Sequence, residues 1–513
     1  MEKTLLNLFV SIATLIIFWF WWKVKKIKKD LAPLLPGPRG LPIVGYLPFL
    51  GQDIHRDFTE LASVYGPIYK LCLGNKMCLV ISSPNLVKEV VRDQDKIFAN
   101  RDLPLAARIS SLGANDIVWS PYNSEWRKMR KIFVREILSN KNINACYGLR
   151  KQEIKKSTRH VYDKIGQPID IGQLAFMTSM NALMSILWGH TLEGEEDFKA
   201  AIEFRNLCLE MMVVIGKPNI SDYIPMLARL DLQGLERKVR KISVGVENFL
   251  NSLISRCSNS IDNKQDQGET NELKRDILQF LMKHKDHEDA SKSITSSQLK
   301  GILLDTVIGG TDTTSTMVEW TMAELMLHQD VMLKVYEELD KVVGSNNSVE
   351  EFHLPHLCYL EAVVKETFRL HPALPYLIPR RPSETCTLAG YTIPKGSTIF
   401  VNVYAIHRDP VLWQNPLEFR PERFLSEETG NFDFSGANFQ YLPFGSGRRI
   451  CAGLPLAEKM LMYQLASFLH PFDWKLPSND TELDLSDKAG IVVKIRKPLI
   501  AIPTPRLPNP DLY

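Results

Sequence analysis

The chain has 513 residues, 45% of them hydrophobic and 24% charged, which is typical of a globular protein with a large core. Lys and Arg total 62 against 59 Asp and Glu, and a net charge of only +3 argues against a nucleic-acid-binding protein. The eight cysteines are scattered without a C-x-x-C pair. This spacing supports neither a zinc ribbon nor a secreted disulfide scaffold, and it predicts a reducing compartment.

The N-terminal segment, residues 1–30, is predicted to be a transmembrane anchor. Residues 5–22 (LLNLFVSIATLIIFWFWW) are almost entirely apolar, and at about 1.5 Å per residue they reach about 27 Å, close to the thickness of the endoplasmic reticulum bilayer. Tryptophans end the run and lysines follow at once. A cleaved signal peptide would carry its charge before the apolar run, so cleavage is the weaker alternative, as is a buried core helix. The positive-inside rule predicts a single-pass protein whose body is cytosolic.

Residues 31–42 are predicted to be a stiff connector, because four prolines and two glycines fall in APLLPGPRGLP (32–42). Residues 43–513 then form the main domain. Short strands are predicted within 68–83 and 387–403, and helices dominate from about 125 to 345, with a polar loop at 257–275. This order predicts a mainly α (α+β) fold with small accessory sheets, because the regular strand–helix alternation of a parallel sheet is missing.

Three motifs on the predicted helices stand out. WRKMR (126–130) is, taken alone, an amphipathic basic helix. GGTDTTS (309–315) places glycine and threonine, both poor helix formers, inside a long apolar helix. The motif suits either close helix packing or a groove opened by a threonine hydroxyl that bonds back into the helix. KETFRLHP (365–372) carries an E-x-x-R pair on one helix face.

The motif FGSGRRICAG (444–453) surrounds one cysteine with three glycines and two arginines. A dinucleotide-binding loop is poorly supported because the third glycine is missing, and an iron–sulfur cluster would need neighbouring cysteines. A buried inert cysteine would not need the two arginines. A thiolate bound to haem iron does benefit from this setting, because glycines allow a flat macrocycle to approach and an arginine matches the geometry of a propionate carboxylate.

The motif matches in register the haem-binding signature F-x-x-G-x-R-x-C-x-G of the cytochrome P-450 family, through Phe444, Gly447, Arg449, Cys451 and Gly453. The chain resembles this family over essentially its whole length, and most closely its plant microsomal members, although Leu35 replaces the first proline of their hinge. The resemblance implies the cytochrome P-450 fold, with a long central helix over haem b.

The resemblance also implies roles for individual residues. Cys451 would be the axial iron ligand, and the partners of the haem propionates would be Arg449, Trp126, Arg130, Arg101 and Arg380. Asp312 and Thr313 would relay protons to oxygen, and Gly309 and Gly310 would leave space for O₂. A buried structural network behind the haem would join Glu366 and Arg369 to Arg423 of the PERF segment (421–424).

The implied reaction is a monooxygenation, in which O₂ and two electrons from NADPH convert a substrate RH into ROH and water. No flavin or nicotinamide motif is present in the sequence, so the resemblance implies NADPH–cytochrome P-450 reductase as the electron donor, with cytochrome b5 as a further candidate. A basic surface that includes Arg448, Lys128 and Lys131 could dock such a partner, or could simply be solvated. Two other classes stay open: a reductase-independent haem-thiolate isomerase or dehydratase, and a non-enzymatic haem-binding protein.

The substrate prediction rests on segments expected over the haem, at 109–119, 304–310, 373–377 and 490–492. Their apolar composition predicts a small apolar ligand. The predicted pocket residues are Ile109, Trp119, Leu304, Ile308, Gly309, Ala373, Leu377 and Ile491. The stretches LPIVGYLPFL, GGTDTTSTMVEWTMAELM and LPFGSGRRICAG resemble a plant group that hydroxylates terpenes or flavonoids, so a terpenoid, notably a sesquiterpenoid, is expected, with a flavonoid as the alternative.

Overall fold

The computed structural model describes residues 35–188, 195–265, 277–285, 287–289, 293–425, 432–477, 483–488 and 490–513. The predicted anchor at 1–30 and the start of the connector lie outside these ranges. Within them, one helix, Ile171–Trp188, is long and apolar enough to cross a membrane, but 67% of it is buried inside the fold. It is therefore a core helix.

The described residues are mainly helical, in the element order that the sequence predicts. The helices are α1 Ile54–Tyr65, α2 Pro84–Lys88, α3 Asp95–Phe98, α4 Leu105–Ser110, α5 Ser124–Ile132, α6 Asn140–Ala145, α7 Tyr147–Tyr162, α8 Ile171–Trp188, α9 Glu195–Ile215, α10 Ile220–Tyr223, α11 Leu235–Gln265, α12 Ile277–Met282, α13 Ser296–Leu327, α14 Gln329–Val342, α15 Cys358–Leu370, α16 Val403–Ile406 and α17 Leu454–Leu469.

The strands are short and form small sheets beside the helices. They are β1 Ile68–Leu73, β2 Lys76–Ile81, β3 Asn100–Arg101, β4 Ile169–Asp170, β5 Arg380–Arg381, β6 Cys386–Leu388, β7 Tyr391–Ile393, β8 Thr398–Val401, β9 Phe472–Lys475, β10 Asp487–Lys488, β11 Lys494–Ile495 and β12 Ile500–Pro505. The largest sheet has the order β1-β2-β8-β5-β3, and only the β2–β8 pair in it is parallel. Strands therefore lie within both predicted regions.

The predicted polar loop at 257–275 is partly wrong, because α11 continues to Gln265. Its buried stripe of Leu250, Leu253, Ile254 and Cys257 keeps the spacing of one helix face, so the helix continues through the start of the polar stretch. Residues 266–276 lie outside the described ranges.

Helix α13 is the central helix of the fold and packs against α8, α15 and α17. A capping box starts it: the Gln298 N–H donates to Thr295 Oγ1 at 3.2 Å, and the Thr295 N–H donates to Gln298 Oε1 at 2.9 Å. Two apolar cores meet along its length, one around its N-terminal half and one around its C-terminal half. Because tertiary packing covers most of its surface, the glycines and threonines within it are tolerated.

Candidate active site

The FGSGRRICAG segment forms a compact loop that leads into α17. Gly445 and Gly447 have φ of 73° and 69°, in the left-handed region that favours glycine. A Cβ on Gly447 would lie 2.2 Å from the carbonyl oxygen of Val91, so only glycine allows this close approach. The Cys451 N–H donates to the Phe444 carbonyl at 3.0 Å and closes the loop just before α17. The loop therefore holds the cysteine in one orientation.

The Cys451 thiol is accessible from a cavity of about 270 Å³ between this loop and α13. Burial raises the pKa of Cys451, while the backbone N–H groups of Gly453 and Leu454 and the charge of Arg130 act to lower it. These donors at the start of α17 stabilise negative charge on sulfur. Phe444 and Gly453 line the same cavity, and the Phe444 ring centroid lies 5.1 Å from that of Phe368. The arrangement suits a thiolate metal ligand below a flat apolar group.

Helix α13 forms the opposite wall of the cavity with Gly309, Gly310, Thr313 and Thr314. A Cβ on Gly309 would meet nothing within 4 Å, so the wall is open there. The Thr313 hydroxyl donates to the Gly309 carbonyl at 2.7 Å, which is the groove-forming bond expected from the sequence. A hydroxyl held at an open wall is well placed to pass a proton to a small molecule in the cavity.

Asp312 does not line this cavity. It is 6% exposed, and its carboxylate Oδ1 forms an ion pair with Nζ of Lys494 in β11. Asp312 and Thr313 therefore face different surroundings, because successive helix positions point in different directions, and their joint role as a proton relay stays a prediction. Lys494, whose side chain is 44% exposed, connects the carboxylate to the solvent side. Lys494 is a residue that the sequence analysis missed.

Four arginines, Arg101, Arg130, Arg380 and Arg449, line the cavity together. They come from β3, α5, β5 and the loop before Cys451. Arg449 donates to the carbonyls of Ala99, Ile117 and Ser120 at 2.6, 3.1 and 2.5 Å. Arg380 donates to Asp95 Oδ1 at 2.9 Å. The structure thus brings together side chains that were singled out separately in the sequence.

The electrostatics of this arginine cluster favour an anionic ligand. Burial, together with repulsion from Arg380 and Arg130, lowers the pKa of Arg449 to about 9. Burial and repulsion from the neighbouring guanidinium groups likewise lower the pKa of Arg101 well below its usual range. Asp95 and Asp116 are the acidic groups that oppose these effects. A cavity with clustered cations, a thiol and an apolar wall fits a macrocycle that carries carboxylates.

Trp126 does not line the cavity, and its ring packs against two guanidinium groups of the arginine cluster. It is 2% exposed, and its ring centroid lies 4.2 Å from the Arg449 guanidinium carbon and 5.5 Å from that of Arg130. Its Nε1 donates to the Ile117 carbonyl at 2.9 Å. The guanidinium groups therefore rest on an aromatic face that holds them in place.

The structure brings Glu366, Arg369 and Arg423 into one buried network. Arg369 donates to both Glu366 oxygens at 2.7 and 2.8 Å, and Arg423 Nε donates to Oε1 at 3.0 Å. Glu366 and Arg369 are fully buried and Arg423 is 5% exposed. Arg369 also binds the carbonyls of His407, Pro416 and Glu418. The network ties α15 to the segment that leads into PERF, so it is structural.

The predicted substrate-pocket residues lie in different parts of the structure, and their role stays a prediction. Gly309, Ala373 and Leu377 line the cavity. Five other predicted positions do not line it, namely Ile109, Trp119, Leu304, Ile308 and Ile491. Leu304, Ile308 and Ile109 pack into the core around the N-terminal half of α13, and Ile491 lies against Gly216 just after α9. Apolar composition alone does not separate core from pocket.

Other lining residues were not singled out: Val118, Asp305 and Leu374 lie within the predicted segments, whereas Leu183 and Ile378 lie outside them. Asp305 had a recognisable signal, because it lies four residues before Gly309 and so on the same helix face. Within the described ranges, no group of three or more His, Cys, Asp or Glu side chains is placed to hold a metal ion.

Comparison with known proteins places these features in a family. The sequence profile of the family described as Cytochrome P450 matches residues 35–502. The chain is 37% identical to a flavonoid 3'-monooxygenase of Petunia hybrida over 489 residues, which cover 94% of each protein. It is also 37% identical to a geraniol 8-hydroxylase of Swertia mussotii, covering 92% of this chain and 94% of that protein.

A third relative is a geranylhydroquinone 3''-hydroxylase of Arnebia euchroma, 37% identical over 94% of this chain and 96% of that protein. Among solved structures, a zebra fish cytochrome P450 with progesterone superposes with a TM-score of 0.75 at 25% identity, covering 88% of this chain and 99% of that chain. The chain therefore belongs to the cytochrome P450 family and is a haem-thiolate monooxygenase whose electrons come from NADPH through a reductase.

Proposed function

We propose that Cys451 is the axial ligand of the haem iron and that the arginine cluster, Arg101, Arg130, Arg380 and Arg449, holds the haem propionates. The observation that carries this proposal is that the thiol, the four guanidinium groups and the open wall of α13 face one cavity. Haem ligated by a thiolate supplies the activation of O₂. The chain itself orients that group, excludes water with apolar walls, and presents the Thr313 hydroxyl as a proton donor.

A spectrum of the reduced protein with carbon monoxide tests the ligand. The Cys451→Ala variant should lose the haem-thiolate absorption band, because alanine offers no ligand atom. The Cys358→Ala variant is the matched control, since Cys358 is an exposed cysteine on α15, away from the cavity, and it should keep the band. An unchanged band in the Cys451→Ala protein would overturn the assignment.

We further propose that the substrate is a small hydrophobic plant secondary metabolite, with a terpenoid such as a sesquiterpenoid as the first candidate. The relative that hydroxylates geraniol and the apolar side chains of the cavity, such as Leu183, Leu374 and Leu377, support this. A flavonoid is the second candidate, and it is supported equally by the flavonoid 3'-monooxygenase of Petunia hybrida. Both classes present apolar carbon surface that such side chains can contact.

Microsomes that contain the protein and its reductase, incubated with panels of terpenoids and flavonoids, separate these candidates. We expect hydroxylated terpenoid products that require both NADPH and reductase, and added cytochrome b5 should raise the rate if it is a second electron donor. Product from flavonoids alone would favour the second candidate. Product that forms without NADPH would contradict a monooxygenase and point to an isomerase or dehydratase.

We also propose that residues 1–30 anchor the protein in the endoplasmic reticulum membrane by a single span, with residues 31–42 as a hinge and residues 43–513 as a cytosolic catalytic domain. The length of the apolar run and the lysines after it support this placement. The Arg448 side chain is 45% exposed although it pairs with Asp95 at 3.2 Å, and we propose that its exposed part contributes to the docking of an acidic redox partner.

A further inference from the structure

Two buried carboxyl side chains, Asp116 and Asp305, meet where a loop crosses the central helix. Asp116 is 1% exposed and starts the loop 116–120, while Asp305 belongs to α13 and lines the cavity. A Cβ on Gly301 would lie 2.2 Å from the Asn115 carbonyl oxygen, so the glycine allows the loop to lie directly on α13. This close approach is what brings the two acids together.

The two carboxyl groups bind four consecutive peptide N–H groups of the loop. Asp305 Oδ2 accepts from Ile117 at 2.7 Å and from Val118 at 3.2 Å. Asp116 Oδ1 accepts from Trp119 and Ser120, both at 2.9 Å. The backbone donors of residues 117–120 therefore all point to the acid pair.

The carbonyl groups of the same loop point to the arginine cluster. The Ile117 carbonyl accepts from Arg449 Nη1 at 3.1 Å, and the Ser120 carbonyl accepts from Arg449 Nη2 at 2.5 Å. The Val118 carbonyl accepts from Arg101 Nε at 3.3 Å. Loop 117–120 is thus a bridge with the acids on one side and the arginines on the other. The loop peptides therefore connect the two acids to Arg101 and Arg449 by hydrogen bonds.

The contact between the two acids lacks a donor. Asp116 Oδ2 is buried and receives no hydrogen bond within the described ranges, and the neighbouring loop N–H groups bring the Asp305 carboxyl close to that of Asp116. Two ionised carboxylates in this position would repel each other and leave a buried acceptor unsatisfied. When one proton is shared between the two carboxyl groups, the protonated carboxyl donates a hydrogen bond to the ionised one.

Electrostatics agree with that geometry. Burial, and then the charge of Asp116, raise the pKa of Asp305 well above its usual range, and burial raises the pKa of Asp116 to about 6. The cations that face the pair are Arg449 and Arg101, across the loop, and their charges oppose the shift without cancelling it. Lys300, also near this end of α13, is bound to Glu247 of α11 at 2.8 Å.

We propose that Asp116 and Asp305 share a single proton and act as positioning residues, which hold loop 117–120 and, through it, Arg101 and Arg449 against the cofactor cavity. The shared proton is argued from two observations: consecutive loop N–H groups bind both carboxyl groups, and Asp116 Oδ2 is buried without a hydrogen bond. Its consequence for cofactor binding rests on the haem site proposed above. Neither acid is a catalytic residue in this arrangement.

The Asp305→Asn variant tests the proton directly. The amide oxygen can accept the two loop N–H groups, and the amide nitrogen can donate to Asp116 in place of the shared proton. In the wild-type protein the folded state holds the proton more tightly than the unfolded state, so stability is full at low pH and falls as pH rises. The unfolding equilibrium constant should rise by up to about tenfold per pH unit, and Asp305→Asn should flatten this slope.

Denaturant unfolding of the purified full chain, measured at several values between about pH 5 and 8, gives the two slopes. Parallel pH profiles for the wild type and Asp305→Asn would overturn the shared proton. An infrared difference spectrum is the second readout, because the wild type should show a protonated-carboxyl band that is missing from both Asp305→Asn and Asp116→Asn. An identical carboxyl band in all three proteins would also overturn it.

The Asp305→Leu variant tests the positioning role. Leucine has a similar size but no acceptor, so the Ile117 and Val118 N–H groups lose their partner. We expect haem to dissociate at least about tenfold faster from Asp305→Leu than from the wild type, corresponding to about 1.4 kcal/mol, and Asp305→Asn to restore retention. Equal retention in both variants would overturn positioning.

The Cys451→Ala protein separates this inference from the proposed function. If Cys451 is not the haem ligand but the acids share a proton, the carboxyl band and the pH slope persist in that protein while its haem spectrum also stays unchanged. If Cys451 is the haem ligand but the two acids share no proton, the Cys451→Ala protein loses the haem spectrum. The wild-type protein then already lacks the protonated-carboxyl band.

Discussion

At the scale of single residues, the site depends on how each side chain is restrained. Thr313 is held to the Gly309 carbonyl and faces the cavity, whereas its neighbour Asp312 is turned toward Lys494. The Asp312 carboxylate and the Thr313 hydroxyl, although adjacent in the sequence, therefore face different parts of the structure. The Thr313 hydroxyl can reach a molecule in the cavity, and the Asp312 carboxylate is paired with Lys494, whose side chain is 44% exposed.

The Thr313→Ala variant should bind haem normally and form much less product. A positioned proton donor contributes about a hundredfold or more to a reaction rate, so we expect product formation to fall by about that factor. Product analysis and NADPH consumption measure the effect, with the carbon monoxide spectrum as a check on the site. The Thr321→Ala variant is the control, since Thr321 makes the same type of bond, to the Met317 carbonyl at 2.7 Å, in the buried part of α13. Equal losses in both variants would contradict a specific role for Thr313.

At the scale of elements, the Cys451 loop depends on glycine for two separate reasons. Gly447 has a positive φ, and it also lies so close to the Val91 carbonyl that no Cβ fits. Gly344, just after α14, has a φ of 82° but open surroundings, with the nearest atom to a Cβ at 3.7 Å. Gly447 and Gly344 therefore share a positive φ, but only Gly447 lies so close to another backbone segment that a Cβ would clash with it.

Gly344→Ala should therefore cost only the strain of the backbone, about 1 kcal/mol, while Gly447→Ala should cost several kcal/mol and weaken haem retention. Denaturant unfolding and the haem content of the purified proteins measure the two effects. Equal stability of the two variants would show that the loop can move away from Val91, and that its position is not rigid.

At the scale of the whole molecule, the family fold places distant segments around one cavity. Its floor is the loop before α17, its opposite wall is α13, and its charged edge comes from β3, α5 and β5. The positive charges of the four arginines would repel one another if the guanidinium groups had no hydrogen-bond or ion-pair partners. Backbone carbonyls and the carboxylates of Asp95 and Asp116 offset this repulsion, and the haem propionates would offset it further if they bind as proposed.

Removal of residues 2–30 tests the arrangement of the chain at the membrane. The full-length protein should stay in membranes washed with alkaline carbonate, because an apolar helix of about 18 residues spans the bilayer core. The shortened protein should be extracted by the same wash and keep its carbon monoxide spectrum, since the described fold begins after the anchor. Retention of the shortened protein in washed membranes would contradict a single N-terminal anchor.

The sequence by itself determined the features that arise within short segments. The spacing around Cys451, the glycines and threonines of α13 and the E-x-x-R pair of α15 follow local geometry, in which helix periodicity and positive φ leave few choices. For the same reason the mainly helical fold with small sheets was predictable, and the family resemblance followed from motifs in register.

Only the tertiary structure decided which distant groups meet. Asp312 pairs with Lys494, 182 residues away, and Asp305 binds a loop that is 188 residues away. Sequence spacing carries no information about such contacts, because they depend on how whole helices and loops pack. The same reason applies to the predicted pocket residues: Leu304 and Ala373 are both apolar, and packing alone places one in the core around the N-terminal half of α13 and the other at the cavity.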